Sequence, residues 1–289
     1  MSDFFKTRTF KNSKKNYGLN SFPLNRKEQF KKIFFSRFNK LLLINLVSFL
    51  FWIPFIAWDL LCKTSKSNID NILSMNQFII SIELPVRLIT SLIAFIGLAG
   101  TIYYVRKILW GEPVSLFRTL FKGIKESYKQ FIFFGLVFGV FTCFFELAFN
   151  MLMFSSYAKE YLILFIALLA IGLIFGFSSL SYALTMSSLY YMKLRTIIKY
   201  SLMLTLKKIL VNTLLCLITY GLLLIFFGSG NIYLYFVGIL VMGLIGISFI
   251  TLVWVTYSNS SYDIYINYKQ YPAFYRKGLR PLKDGGNNA

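Results

Sequence analysis

Histidine does not occur anywhere in this chain of 289 residues. Its absence excludes a His-based catalytic triad, imidazole metal ligands and an imidazole proton relay, and with them a large share of common enzyme chemistry. Cysteine is nearly as scarce. Cys62, Cys143 and Cys216 lie far apart, fit no CxxC or zinc spacing and make no disulfide framework. Acidic residues number 11 against 31 Lys and Arg, for a formal charge of +20. The chain also lacks a GxxxxGK(S/T) phosphate loop, a GxGxxG turn, a paired-aspartate pattern and a clustered acid/base set. These gaps leave no catalytic, cofactor-binding or metal-binding residue to assign, and the expectation is a protein that is not an enzyme.

Apolar residues are what the chain has in excess. They make up 57% of it, charged residues only 15%, and Phe and Tyr alone contribute 32 and 19. The mean hydropathy of +0.63 lies outside the range of soluble domains. Lipid is therefore the expected solvent. Nucleic acid is not an expected partner, because the basic residues fall between apolar runs and not on one soluble face.

Six apolar runs stand out, at about Lys40–Trp58, Leu84–Val105, Phe131–Phe154, Tyr161–Tyr191, Ile209–Phe227 and Ile232–Tyr257. Each approximates or exceeds the roughly 20 residues that cross a hydrocarbon core. Ser155–Glu160 and Gly228–Asn231 read as tight turns, and 59–83 as a polar loop with a short surface helix. All of the 31 basic residues except Lys63, Lys66, Arg87 and Lys159 fall in the N-terminal segment, in 106–129, in 193–208 or in the C-terminal tail. The positive-inside rule then puts both termini in the cytoplasm. The expected fold is all-α, a polytopic membrane protein of about six transmembrane helices. Residues 1–29 form a basic cytoplasmic tail without a signal-peptide pattern, 30–257 the six-helix domain, and 258–289 a polar cytoplasmic tail.

Within that layout three units, Phe30–Tyr104, Leu116–Tyr191 and Arg195–Tyr257, each set a basic amphipathic interfacial segment before an apolar hairpin. The most informative stretch is the elbow from 103 to 135. There a run ends at Tyr103-Tyr104, meets Arg106 and Lys107, breaks at Gly111-Glu112-Pro113 and resumes as an amphipathic segment. Phe117, Leu120, Phe121, Ile124, Tyr128 and Phe131 recur at spacings of three and four, with Arg118, Lys122, Lys125 and Lys129 between them. This predicts a helix lying on the membrane, its apolar face buried and its basic face, with Arg106 and Lys107, touching anionic headgroups or a partner.

Two further features concern the spans themselves. Gly135 and Gly139 in the third run, and Gly172 and Gly176 in the fourth, have the four-residue spacing that lets helix backbones approach, and predict that these two helices pack on each other. Glu146 in the third run and Arg87 in the second are ionisable groups in an apolar setting, and an ion pair between them would offset the cost of burial. Ser178, Ser179, Ser181, Tyr182 and Thr185 offer a polar seam along the fourth helix, although hydroxyls there commonly bond their own backbone.

The segments beginning at Arg37 (RFNKLLLINL), at Tyr103 (YYVRKILWGE) and at Leu116 (LFRTLFKGIKESYKQ) resemble the YesL family of bacterial membrane proteins. The resemblance covers about Phe30–Tyr257 in architecture and is sharpest between Lys40 and Phe134. It departs at Gly97-Leu-Ala-Gly100-Thr, where the family has a Gly-Pro, and in the polar loop from Asp59 to Glu83. It implies an accessory role in carbohydrate uptake beside an ABC-type sugar transporter, and it carries over no catalytic residue. Three readings follow: a non-enzymatic accessory or subunit protein, a small-molecule or sugar transporter or channel in its own right, and a lipid-linked glycan enzyme. Neither the sugar nor the oligomeric state is legible.

Overall fold

A computed structural model describes residues 22–69, 71–154, 162–229 and 231–281. The described residues form helices α1 (Arg26–Ser36), α2 (Phe38–Lys66), α3 (Ile72–Phe78), α4 (Leu84–Leu109), α5 (Leu116–Phe154) and α6 (Leu162–Leu189), followed by α7 (Leu194–Lys207), α8 (Ile209–Cys216), α9 (Leu222–Gly228), α10 (Ile232–Val241) and α11 (Ile247–Tyr262). Widened π-helical turns join α3 to α4, α8 to α9 and α10 to α11 into longer rods, and another carries α11 on to Gln270. Among the described residues, six rods are long and apolar enough to cross a membrane. The protein is a multi-pass membrane protein.

Local sequence explains where the helices begin and end. Asn25, Asn71 and Asn231 cap α1, α3 and α10, their side-chain oxygens accepting from Glu28 N, Leu73 N and Tyr233 N, each at 2.8 Å. Gly111 ends α4 with φ of 72°, a left-handed conformation that glycine adopts without a Cβ clash, and Pro113 follows. Between α1 and α2 the chain breaks at Arg37 (φ −121°, ψ 20°), and between α7 and α8 it breaks in nearly the same way at Lys208 (φ −125°, ψ 34°). The first and third units therefore share one entry geometry. The middle unit has no such break. Its basic segment is the opening of α5, which continues without interruption for 39 residues. At 1.5 Å per residue that is about 58 Å, nearly twice a hydrocarbon core of about 30 Å.

Helix α4 is the axis of the bundle. Every residue from Ala99 to Arg106 is buried, enclosed by α2, α5, α6 and α11. Close approach on two sides depends on missing side chains. A Cβ on Gly97 would stand 2.5 Å from Phe51 of α2, and one on Gly123 of α5 would stand 2.4 Å from the Cβ of Tyr103. The packing stripe of α5 is consequently Leu120, Gly123, Ser127 and Phe131, all buried.

The third and fourth spans do touch, but the glycine expectation is corrected in part by this packing. Gly135 and Gly139 face Phe95, Ser91 and Leu88 of α4, not α6. Gly176 meets Phe141 of α5, whereas a Cβ on Gly172 would meet nothing within 4 Å. The glycines of the third run serve α4 because α4, not α6, runs alongside α5 for most of its length. The domain boundaries also shift. Position 29 lies inside α1, and the helix that begins at Ile232 passes Tyr257 without a break and ends at Gln270. The turn at 155–160, Lys159 and the two chain ends, 1–21 and 282–289, lie outside the described residues.

Candidate functional site

At the end of the bundle away from the elbow, α2 keeps its helical course past Trp58. Asp59, Lys63 and Lys66 thereby fall on neighbouring turns of one helix. Glu83 and Arg87 stand four residues apart across the junction into α4, and Glu146 projects from α5. Three carboxylates and three cations converge, and their formal charges cancel.

Arg87 is the hub of this network. Its guanidinium bonds Asp59 Oδ1 at 3.0 Å and Glu146 Oε2 at 3.1 Å and pairs with Glu83 Oε1. Lys66 spans the same two glutamates, donating to Glu83 Oε2 at 2.9 Å and to Glu146 Oε1. Lys63 pairs with Asp59 at 3.2 Å, donates to the Phe227 carbonyl and lies 4.5 Å from the centre of the Tyr235 ring. The Tyr235 hydroxyl donates to Asp59 Oδ2 at 3.1 Å. Exposure rises outward from a completely buried Glu83 side chain through Arg87 at 5% to Lys63 at 34%. A charge inside an apolar domain is expensive unless it is paired and hydrogen-bonded, and this network supplies each buried member with more than one partner.

The Arg87 and Glu146 side chains named from the sequence are thus in contact, as members of a six-residue network and not as an isolated pair. The apolar pattern alone does not single out Asp59, Lys63, Lys66 or Tyr235. The signal for the first three is their spacing, at intervals of four and three residues, which places them on one face if α2 continues through the polar stretch.

The elbow is built differently. The chain from Tyr271 to Pro281 folds back over it, with Phe274 stacked on Trp110 at 5.6 Å between ring centres and Lys277 Nζ 3.8 Å from the centre of the Trp110 ring. Lys277 also bonds Glu112 Oε1 at 3.0 Å. Arg26 pairs with Asp263 at 2.7 Å and donates to the Lys277 carbonyl at 3.0 Å, and Gln29 Nε2 donates to the Leu109 carbonyl at 2.7 Å. The start of α1, the end of α11 and the elbow are thereby tied together. Partial burial works to raise the Glu112 carboxyl, but the hydrogen bond and charge of Lys277, with Lys107, prevail and hold it below the usual carboxylate range.

This closure corrects the reading of Arg106 and Lys107 as outward contacts. Arg106 is buried, its guanidinium 4.6 Å from the centre of the Tyr103 ring and 4.9 Å from that of Trp110. Lys107 turns to Glu112 at 3.5 Å. Arg118, Lys122, Lys125 and Lys129 are exposed along the outer side of α5. The apolar residues of the same segment divide. Leu120 and Phe131 pack on α4, whereas Phe117 and Phe121 are 60% and 59% exposed and Tyr128 41%. The helical period alone does not distinguish these two apolar edges; the approach of α4 at Gly123 does.

The hydroxyls of the fourth helix are committed to neighbours. Tyr182 Oη reaches Asn212 at 3.3 Å and Ser261 at 3.2 Å, Ser181 reaches Tyr220 at 2.7 Å, and Thr185 reaches Tyr262 at 2.6 Å. They stitch α6 to the helices that follow it.

Fold and network together define a six-helix multi-pass membrane protein that buries a neutral charge cluster at one end and closes its elbow with its own C-terminal segment. Comparison with family models, curated proteins and solved structures finds no match to this chain.

Proposed function

We propose that this protein is a non-enzymatic integral membrane accessory or subunit protein that docks a partner along the first turns of α5, with both termini in the cytoplasm of a bacterial cell. One observation carries the reading. Phe117, Phe121 and Tyr128 remain exposed beside Arg118, Lys122, Lys125 and Lys129, while the opposite edge of the same helix is packed on α4. Aromatic surface bordered by cations suits a partner surface that combines apolar and acidic groups. The elbow turn itself is occupied by Phe274 and Lys277, so the docking face is the flank of α5. The YesL-like segments put the subunits of an ABC-type sugar transporter first among partners to test.

The test is purification in mild detergent with quantitative mass spectrometry, wild type against Phe121→Asp. Recovery of transporter subunits with the wild type, and their loss with the variant, supports the reading. Equal recovery from both, or none from the wild type, counts against it. Labelling of single cysteines introduced at Lys125 and Ser67 checks the orientation, with Lys125 expected on the cytoplasmic side.

A second reading, a small-molecule transporter, is favoured by the buried Arg87, Glu83 and Glu146 cluster, since ionisable groups within spans often mark ion or substrate paths. Flux in proteoliposomes containing this chain alone would support it.

A further inference from the structure

A cleft of about 190 Å³ opens beside the charge network. Its walls come from the last turns of α2, the end of α9 and the first turns of α10. Two of the apolar spans end here, at Lys66 and Gly228, and a third begins at Ile232, so the cleft lies at the level where hydrocarbon gives way to lipid headgroups. Leu60, Phe226 and Ile232 line it with apolar surface, and Lys63, Thr64 and Ser67 supply polar atoms.

Lys63 is the member of the network that can be shared. Its ammonium has three donors, of which Asp59 and the Phe227 carbonyl engage two. Asp59 does not depend on it, because the Arg87 guanidinium donates to the same carboxylate at 3.0 Å. Lys63 can therefore turn toward a second anion without stranding a buried charge. The Thr64 and Ser67 hydroxyls now donate to carbonyls of their own helix at 2.9 and 2.7 Å and can rotate to donate into the cleft. The N-terminal turn of α10 adds partial positive charge at the same wall.

We propose that this cleft binds the phosphodiester headgroup of an anionic phospholipid, with Lys63 as its cationic contact and the Leu60, Phe226 and Ile232 walls against the glycerol and first methylenes. Free inorganic phosphate offers the same oxygens but nothing for the apolar walls. The site is separate from the α5 flank, so its failure would leave the docking reading untouched.

The test uses the full chain, purified in detergent and stripped of lipid, with native mass spectrometry as readout. The probes are short-chain phosphatidylglycerol, diacylglycerol of the same chain length, and inorganic phosphate. One phosphatidylglycerol should be retained per chain, with the two other probes at least tenfold weaker. Lys63→Gln removes a charge-assisted hydrogen bond and should weaken retention about tenfold, while Lys63→Arg should keep it. Ser67→Asp sets a carboxylate on the exposed rim one helical turn from Lys63, where it competes with the phosphodiester for the ammonium, and should weaken retention even if Lys63→Gln impairs folding. Lys269→Gln, exposed near the end of the last rod, should change nothing. Equal retention of diacylglycerol, inorganic phosphate binding as tightly as the lipid, or unchanged retention in Ser67→Asp would each overturn the proposal.

Discussion

The Asn45 carboxamide completes the backbone of another helix at Ser248. Its Oδ1 accepts from Ser248 N at 2.8 Å, while its Nδ2 donates to the Met242 and Gly243 carbonyls at 2.8 and 2.7 Å. The π-helical turn Met242–Gly246 breaks the regular ladder between α10 and α11, and the fully buried Asn45 on α2 satisfies the groups it frees. Asn45→Leu should lower stability in detergent by about 1–2 kcal/mol, the modest value typical of hydrogen bonds between membrane helices. Thermal unfolding followed by circular dichroism checks this, and an unchanged midpoint would mean that the turn re-forms a regular ladder.

Removing one partner of the charge network should cost more than removing a hydrogen bond. Arg87→Leu leaves Asp59, Glu83 and Glu146 with only two lysines among them, and breaking a buried pair in this way typically costs about 3–5 kcal/mol. Glu146→Gln should be milder, because the Glu146 side chain is 25% exposed and Glu83 and Asp59 keep both Lys66 and Arg87 in place. Expression yield and unfolding midpoint of the two variants give the comparison, and equal losses would contradict Arg87 as the hub.

The C-terminal closure over the elbow should loosen in acid. The Glu112 carboxyl is held below its usual range in the folded protein, so its contribution is present above its unfolded value and is lost as pH falls through the lower folded value. The hydrogen-exchange protection factors of 273–280, which take out the intrinsic pH dependence of exchange, should therefore fall at low pH in the wild type. In Glu112→Gln they should already be lower at neutral pH and lose most of that acid response. An identical pH response in the two proteins would place the acid-sensitive group elsewhere.

Two glycines that look alike in the sequence should respond in opposite ways. Gly123→Ala drives a methyl into the Cβ of Tyr103, a rigid neighbour, and should destabilise by about 1–3 kcal/mol. Gly172→Ala enters open space within a helix and should be neutral or stabilising by up to about 1 kcal/mol. Unfolding midpoints in one detergent decide it.

The six spans were legible because crossing a hydrocarbon core imposes a length and an apolar content on each segment, and both are properties of local sequence. The third span shows where that legibility stopped. Its apolar stripe was visible, but which edge of the stripe is buried was not, because Phe117 and Leu120 satisfy the same helical period. Similarly, Asp59, Lys63 and Lys66 read as a polar loop when each segment is taken by itself.

What the sequence determined by itself is the solvent, the number of crossings and the helical character of nearly every described segment. What the tertiary structure decided is which side chains meet. It drew Glu83, Arg87 and Glu146 around the end of α2, turned Arg106 inward and folded Phe274 onto Trp110. The physical reason is that burying a charge or a ring depends on groups distant in the chain, and only the packing of α4 against its neighbours brings those groups within reach.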